Sequence, residues 1–115
     1  MSGRRSREKG ARWEREVARR FRDVLGVEAR RGFQYRDGAE APDIIIEGLP
    51  HALHIECKAG KRPAILAALE QAERDAAEGA IPVVVVKPDK KEPTVTMRLE
   101  DWLAVIATWA RRHRT

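Results

Sequence analysis

The chain has 115 residues, of which 43% are hydrophobic and 36% charged, with a formal net charge of +5. That length suits one compact domain with a modest core and is too short to argue for two. The composition excludes an intrinsically disordered chain, and no apolar run approaches the roughly 20 residues that a membrane-spanning helix needs.

In chain order, the basic opening "MSGRRSREKGARWERE" is followed by no apolar signal segment, so a cytoplasmic location is expected. Ser6 is placed to cap a helix over residues 7–25, with Glu8 in its first turn and Gly26 as its stop. Val17, Ala18, Phe21 and Leu25 form its apolar stripe. Glu14 falls near the centre of that stripe, whereas Glu16 points away, so Glu14 needs a partner. Gly10 shares the face one turn earlier, where a small residue lets a phosphate or the sheet approach.

"VEARRGFQY" reads as a first strand and "RDGAEA" as a turn-rich loop. Pro42 opens "PDIIIEG", whose unbroken isoleucines predict a strand buried on both faces. "HALHIECKA" alternates, with Leu53, Ile55 and Cys57 on one side and His54, Glu56 and Lys58 on the other. Pro63 starts a second helix that buries Ile65, Ala68, Leu69, Ala72 and Ala76 and stops at Gly79. "IPVVVVKP" is another doubly buried strand, "TVTMRL" a short edge strand, and residues 100–112 a third helix with Trp102, Leu103, Ile106, Trp109 and Ala110 on one face. The expected fold is α/β in the order α-β-β-β-α-β-β-α. A single domain over residues 1–115 holds a central mixed five-stranded sheet flanked by helices, with residues 1–6 and 113–115 flexible. The first three strands form a meander, and the helix between the third and fourth makes those two parallel.

Cys57 is the only cysteine, which excludes an intrachain disulfide and a cysteine-based zinc site and fits a packed thiol. Cationic side chains crowd the first helix, "ARRGFQYR", "KAGKR" and the tail "RRHRT". Any one such run is ordinarily a solvated surface; their recurrence around one acidic centre suits a polyanion.

That centre is Asp43, Glu56 and Lys58. If the second and third strands pair as a hairpin, the start of one lies beside the end of the other and the two carboxylates meet at a sheet edge, with Lys58 on the same face as Glu56. Two carboxylates with neither a cysteine nor a suitable histidine spacing suit a hard cation such as Mg²⁺, to which the backbone carbonyl of Cys57 can add a ligand. Such a cation acidifies a water and neutralises charge on a phosphoryl group, and Lys58 can orient the water or stabilise that charge. An isolated D…ExK is more often a strand-start Asp and a solvated Glu–Lys pair. Glu14 on the first helix and Gln71, bordering the apolar face of the second, are what raise this one above that.

"PD", then Glu56-Cys57-Lys58 as "ExK", after a helix containing "KGARWERE", resembles the PD-(D/E)xK nuclease superfamily. Within it, the chain is similar to the small archaeal-type Holliday junction resolvases and their phage-encoded relatives, over roughly residues 8–90. The resemblance implies a restriction-endonuclease-like fold, metal ligation by Asp43 and Glu56 with a contribution from Glu14, a catalytic Lys58 and an assisting Gln71. It also implies Mg²⁺, with Mn²⁺ able to substitute, and a homodimer that cuts a four-way DNA junction in a bacterial, archaeal or phage-infected cell. Lys9, Arg12, Arg15, Arg30, Arg31, Arg36, Lys61 and Arg62 are the expected DNA contacts, with Arg30 and Arg31 both matching the arginine that follows the first strand. The chain departs from the group in the loop "RDGAEAP", which adds Asp37 and Glu40, and in its tryptophan-bearing third helix.

A nuclease of the same superfamily with a restriction-like or repair target, or a catalytically silent DNA-binding module, are the alternatives. His51, His54 and His113 read as a turn residue, a surface strand residue and part of a basic tail; Trp13, Trp102 and Trp109 read as core or interface rather than as base-stacking platforms.

Overall fold

The computed structural model describes residues 3–32 and 41–113. The elements are α1 (Gly3–Leu25), β1 (Glu28–Arg31), β2 (Ile44–Glu47), β3 (Leu53–Gly60), α2 (Ile65–Asp75), β4 (Ile81–Pro88), β5 (Thr94–Thr96) and α3 (Leu99–Arg112), in the expected order. They build one open five-stranded sheet with spatial order β1-β2-β3-β4-β5. β1, β2 and β3 form an antiparallel meander, β3 and β4 are parallel, and β5 returns antiparallel to β4. This is an α/β arrangement consistent with a restriction-endonuclease-like fold. No helix among the described residues is long and apolar enough to cross a membrane.

The period of two along β3 and β4 divides the core between two helices. In register, Ile55 faces Val83 and Cys57 faces Val85, and these four pack with Ile44 and Ala29 against Trp13, Val17 and Ala18 of α1. The alternate set, Val84 and Val86, packs against Ala68 and Leu69 of α2. Ile44, Ile55, Val84 and Val86 are completely enclosed, and each contributes about 1.5–3 kcal/mol by leaving water. Glu56 and Lys58 are in register with Val84 and Val86, so they share the α2 side of the sheet.

Several sequence expectations need correction. α1 begins at Gly3, so Ser6 lies inside the helix and not at its cap. Glu8 lies beyond its first turn, ion-paired with Arg4 at 3.4 Å. Trp13 takes the place in the buried stripe expected of Leu25, which is 51% exposed. The indole of Trp13 donates to the Val85 carbonyl at 3.0 Å, fixing α1 on β4 and removing this residue from any base-stacking role. Only Ile44 of β2 is fully buried; Ile46 packs at the margin of the α1-side core, and Ile45, on the other face, is only partly covered because the α2-side core sits over β3 and β4. α2 stops at Asp75, as Ala76 turns extended, and Gly79, at φ 87°, reverses the chain into β4. His54 is buried at 4% exposure, where a surface residue was expected; its register places it on the side of the sheet that faces α2.

α3 is held more loosely. None of its residues is buried, and Trp102, Leu103 and Trp109 are about half exposed. It leans on the α1-side core through Val105 and is tied to the β2–β3 connection by a 2.7 Å hydrogen bond between His51 Nε2 and Thr108 Oγ1. Between α1, the sheet and α3 runs an apolar groove of about 730 Å³, bordered by Phe21, Leu53, Val105 and Trp109.

Candidate active site

Asp43 sits immediately before β2, clamped from both sides. Its backbone N–H donates to the Ile55 carbonyl and its carbonyl accepts from the Gly32 N–H, both at 2.8 Å. Gly32 is required there, because a Cβ on it would stand 2.2 Å from the Pro42 carbonyl oxygen. The Ile44–Ile55 pairing puts Asp43 opposite Glu56. Asp43 Oδ2 accepts a further 2.8 Å hydrogen bond from the Cys57 N–H. The hairpin geometry expected from sequence is therefore present.

The third carboxylate arrives from α1. Glu14 Oε1 accepts from Arg31 Nε at 2.8 Å, and the Glu14 side chain is 15% exposed. Arg31 is the partner that a carboxylate in the apolar stripe needed. Arg30, one residue earlier, projects to the opposite side of β1 and pairs with Glu47 at 3.1 Å. Gly10 has open space around its Cα, so the sheet does not approach it. Glu16 is turned outward to Arg19 and Arg20, whose hydrogen bonds hold its carboxyl below the usual range.

Three carboxylates near one another and partly shielded from water repel. Burial, opposed by the Cys57 N–H and reinforced by Glu56 and Glu14, pushes the Asp43 carboxyl from 3.8 up to about 7. Among the described residues no group of three His, Cys, Asp or Glu side chains is set to hold a metal ion unaided. Asp43 and Glu56 could hold a hard divalent cation with water filling the remaining positions, the habit of Mg²⁺, and its charge would offset this repulsion. The Cys57 thiol belongs to the α1-side core and is driven upward in pKa by burial and then by Asp43, Glu14 and Glu56, so only its backbone carbonyl suits such an ion.

Lys58 follows Glu56 on the same face, half-buried, and its ammonium makes no ion pair or hydrogen bond among the described residues. Gln71 is exposed on α2 and hydrogen-bonds to none of these groups. Of the expected DNA contacts, Arg12, Arg15, Lys61 and Arg62 are exposed, and Lys9 is engaged by Asp89 at 3.1 Å. Arg36, with Asp37 and Glu40, lies outside the described residues. Sequence reasoning missed His54, whose Nε2 lies 3.1 Å from Glu56 Oε2. Its place two residues before Glu56 on the same strand face was the available signal.

A mixed sheet that carries "PD" and "ExK" on adjacent strands, with their acids side by side, is the arrangement of a PD-(D/E)xK nuclease. The chain belongs to the phage putative PDDEXK endonuclease family, whose model matches residues 5–114. No curated protein and no solved structure matches it.

Proposed function

We propose that this nuclease is a Mg²⁺-dependent, structure-selective endonuclease that resolves four-way DNA junctions as a homodimer. The observation that carries the reading is the pairing of Asp43 with Glu56, two shielded carboxylates whose mutual repulsion a divalent cation relieves. When bound, that cation supplies positive charge to the scissile phosphate and acidifies a water for in-line attack. Asp43 and Glu56 would hold it, with the Cys57 carbonyl. Lys58, unpaired among the described residues, neutralises charge on the phosphoryl oxygens or orients the attacking water. Glu14, held by Arg31, adds to the negative field that draws the cation. Gln71, an exposed boundary residue of α2, would assist only by turning toward bound DNA.

Arg12 and Arg15 on α1, with Lys61 and Arg62 after β3, supply exposed positive charge for the phosphates. Two symmetric cuts call for two sites related by a twofold axis. Supporting a dimer, Leu99, Trp102 and Leu103 of α3 and Val95 of the edge strand β5 are all exposed apolar residues at one end of the sheet.

The test is a substrate panel with Mg²⁺: four-way junction, linear duplex, single strand and flap at equal concentration. Paired nicks confined to the junction support the proposal. Equal cutting of linear duplex would replace it with a nuclease of another target, and tight junction binding without cleavage in Mg²⁺ or Mn²⁺ would replace it with a silent binding module.

A further inference from the structure

His54 is the one buried histidine among the described residues, and it is buried beside an acid. Its side chain is 4% exposed and that of Glu56 is 12% exposed, with 3.1 Å between Nε2 and Oε2. A carboxylate oxygen accepts hydrogen bonds, so the tautomer that makes this contact a hydrogen bond to a carboxylate carries its proton on Nε2. The strand period explains the contact: residues 54, 56 and 58 stand in one row on the α2 side of β3. In that row Glu56 is flanked by His54 and Lys58, and the Asp43 carboxyl lies within hydrogen-bonding reach across the strand pair.

Glu56 has three rotatable side-chain bonds, and its carboxyl is within hydrogen-bonding reach of Asp43 across the strand pair. When both acids are ionised, the form in which they ligate a cation, they repel, and a Glu56 held by nothing else would swing off the site. A hydrogen bond from an enclosed ring removes that freedom. The imidazole is rigid, and it is buried on the side of β3 that faces α2.

We infer that His54 is a positioning residue for the metal site: its Nε2–H holds the Glu56 carboxylate in the orientation that converges on Asp43. The inference rests on the metal reading of Asp43 and Glu56. It adds that the site is pre-set by a buried donor that does not itself touch the cation or the DNA. Hydrogen-bond partners of ligating groups characteristically matter for affinity at this level.

The test uses the full chain without DNA and reads Mn²⁺ binding by calorimetry or electron paramagnetic resonance, with thermal unfolding of the metal-free protein alongside. His54→Leu fills the space without a donor, and His54→Gln keeps an N–H near the position of Nε2. The expected result is an affinity for Mn²⁺ lowered about 10- to 100-fold in His54→Leu and restored to within about threefold of wild type in His54→Gln. If His54→Leu fails to fold, His54→Met takes its place as the donor-free variant, with the same loss of about tenfold or more expected and unchanged Mn²⁺ affinity overturning the role. A folded His54→Leu protein with unchanged Mn²⁺ affinity overturns it too. A wild-type chain that binds no Mn²⁺ or Mg²⁺ overturns the metal reading itself, a different result from an unaffected variant.

Discussion

Arg31 Nε donates to Glu14 Oε1 at 2.8 Å, a contact that joins the end of β1 to the middle of α1 and brings the third carboxylate to the Asp43–Glu56 corner. Arg30 makes the comparable contact with Glu47 at 3.1 Å, but both of those side chains are more than half exposed. Water therefore screens the two pairs differently. Arg31→Ala is expected to destabilise the fold by about 1 kcal/mol, and Arg30→Ala by less than about 0.5 kcal/mol, in urea titrations. Equal effects would show that Glu14 does not depend on Arg31.

A second expectation concerns pH in the absence of divalent ions. With its carboxyl raised to about 7 in the folded chain, against roughly 3.9 in the unfolded one, Asp43 binds a proton more tightly when folded. Stability then declines as pH rises from the unfolded toward the folded value, and the full penalty is present above about 7. Asp43→Asn should flatten that slope in denaturation curves measured between acidic and neutral pH. Because a cation needs the ionised acid, added Mg²⁺ should raise the melting temperature more at pH 8 than at pH 6. A stabilisation independent of pH would remove Asp43 from the binding step.

Trp13 is a structural residue in this account. Trp13→Phe keeps the ring in the core and loses only the donor to the Val85 carbonyl, at a cost of about 1–2 kcal/mol. DNA affinity at fixed salt should not change. A large loss of affinity with stability unaltered would mean that the indole reaches nucleic acid.

The exposed cations carry a prediction about salt. Junction affinity should fall linearly on a log–log plot against salt, and each of Arg12→Ala, Arg15→Ala and Lys61→Ala that removes one phosphate contact should reduce the slope by about 0.9. Slopes unchanged in all three variants would put the DNA elsewhere on the protein.

How far the sequence carried this picture depends on whether local periodicity or tertiary cover decided the outcome. Element order, the meander and the parallel β3–β4 pair follow from alternation, helix-stop glycines and a crossover of helical length, and the structure has all of them. The pairing of Asp43 with Glu56 was legible because strand direction and a short turn leave one geometry. Cover was not legible. The isoleucines of β2 promised two buried faces, yet α2 reaches only β3 and β4. His54, on the side of the sheet that faces α2, is buried, although by alternation alone it looked like a surface residue. Ser6 failed as a cap because the arginine-rich segment before it continues the helix, aided by the Arg4–Glu8 pair. The wheel found that Glu14 needed a partner, but only the register of β1 against β2 selects Arg31 over Arg30, by turning Arg31 to the α1 side.

The central claim is that Asp43 and Glu56 together hold the cation that cleavage requires. The most direct measurement compares wild type, Asp43→Asn and Glu56→Gln for single-turnover cleavage of a four-way junction in Mg²⁺, with junction affinity determined on the same preparations. The account predicts rates lowered about a hundredfold or more in both variants, with affinity kept within about threefold, a change of roughly 0.7 kcal/mol or less. Cleavage at the wild-type rate by either variant would contradict it.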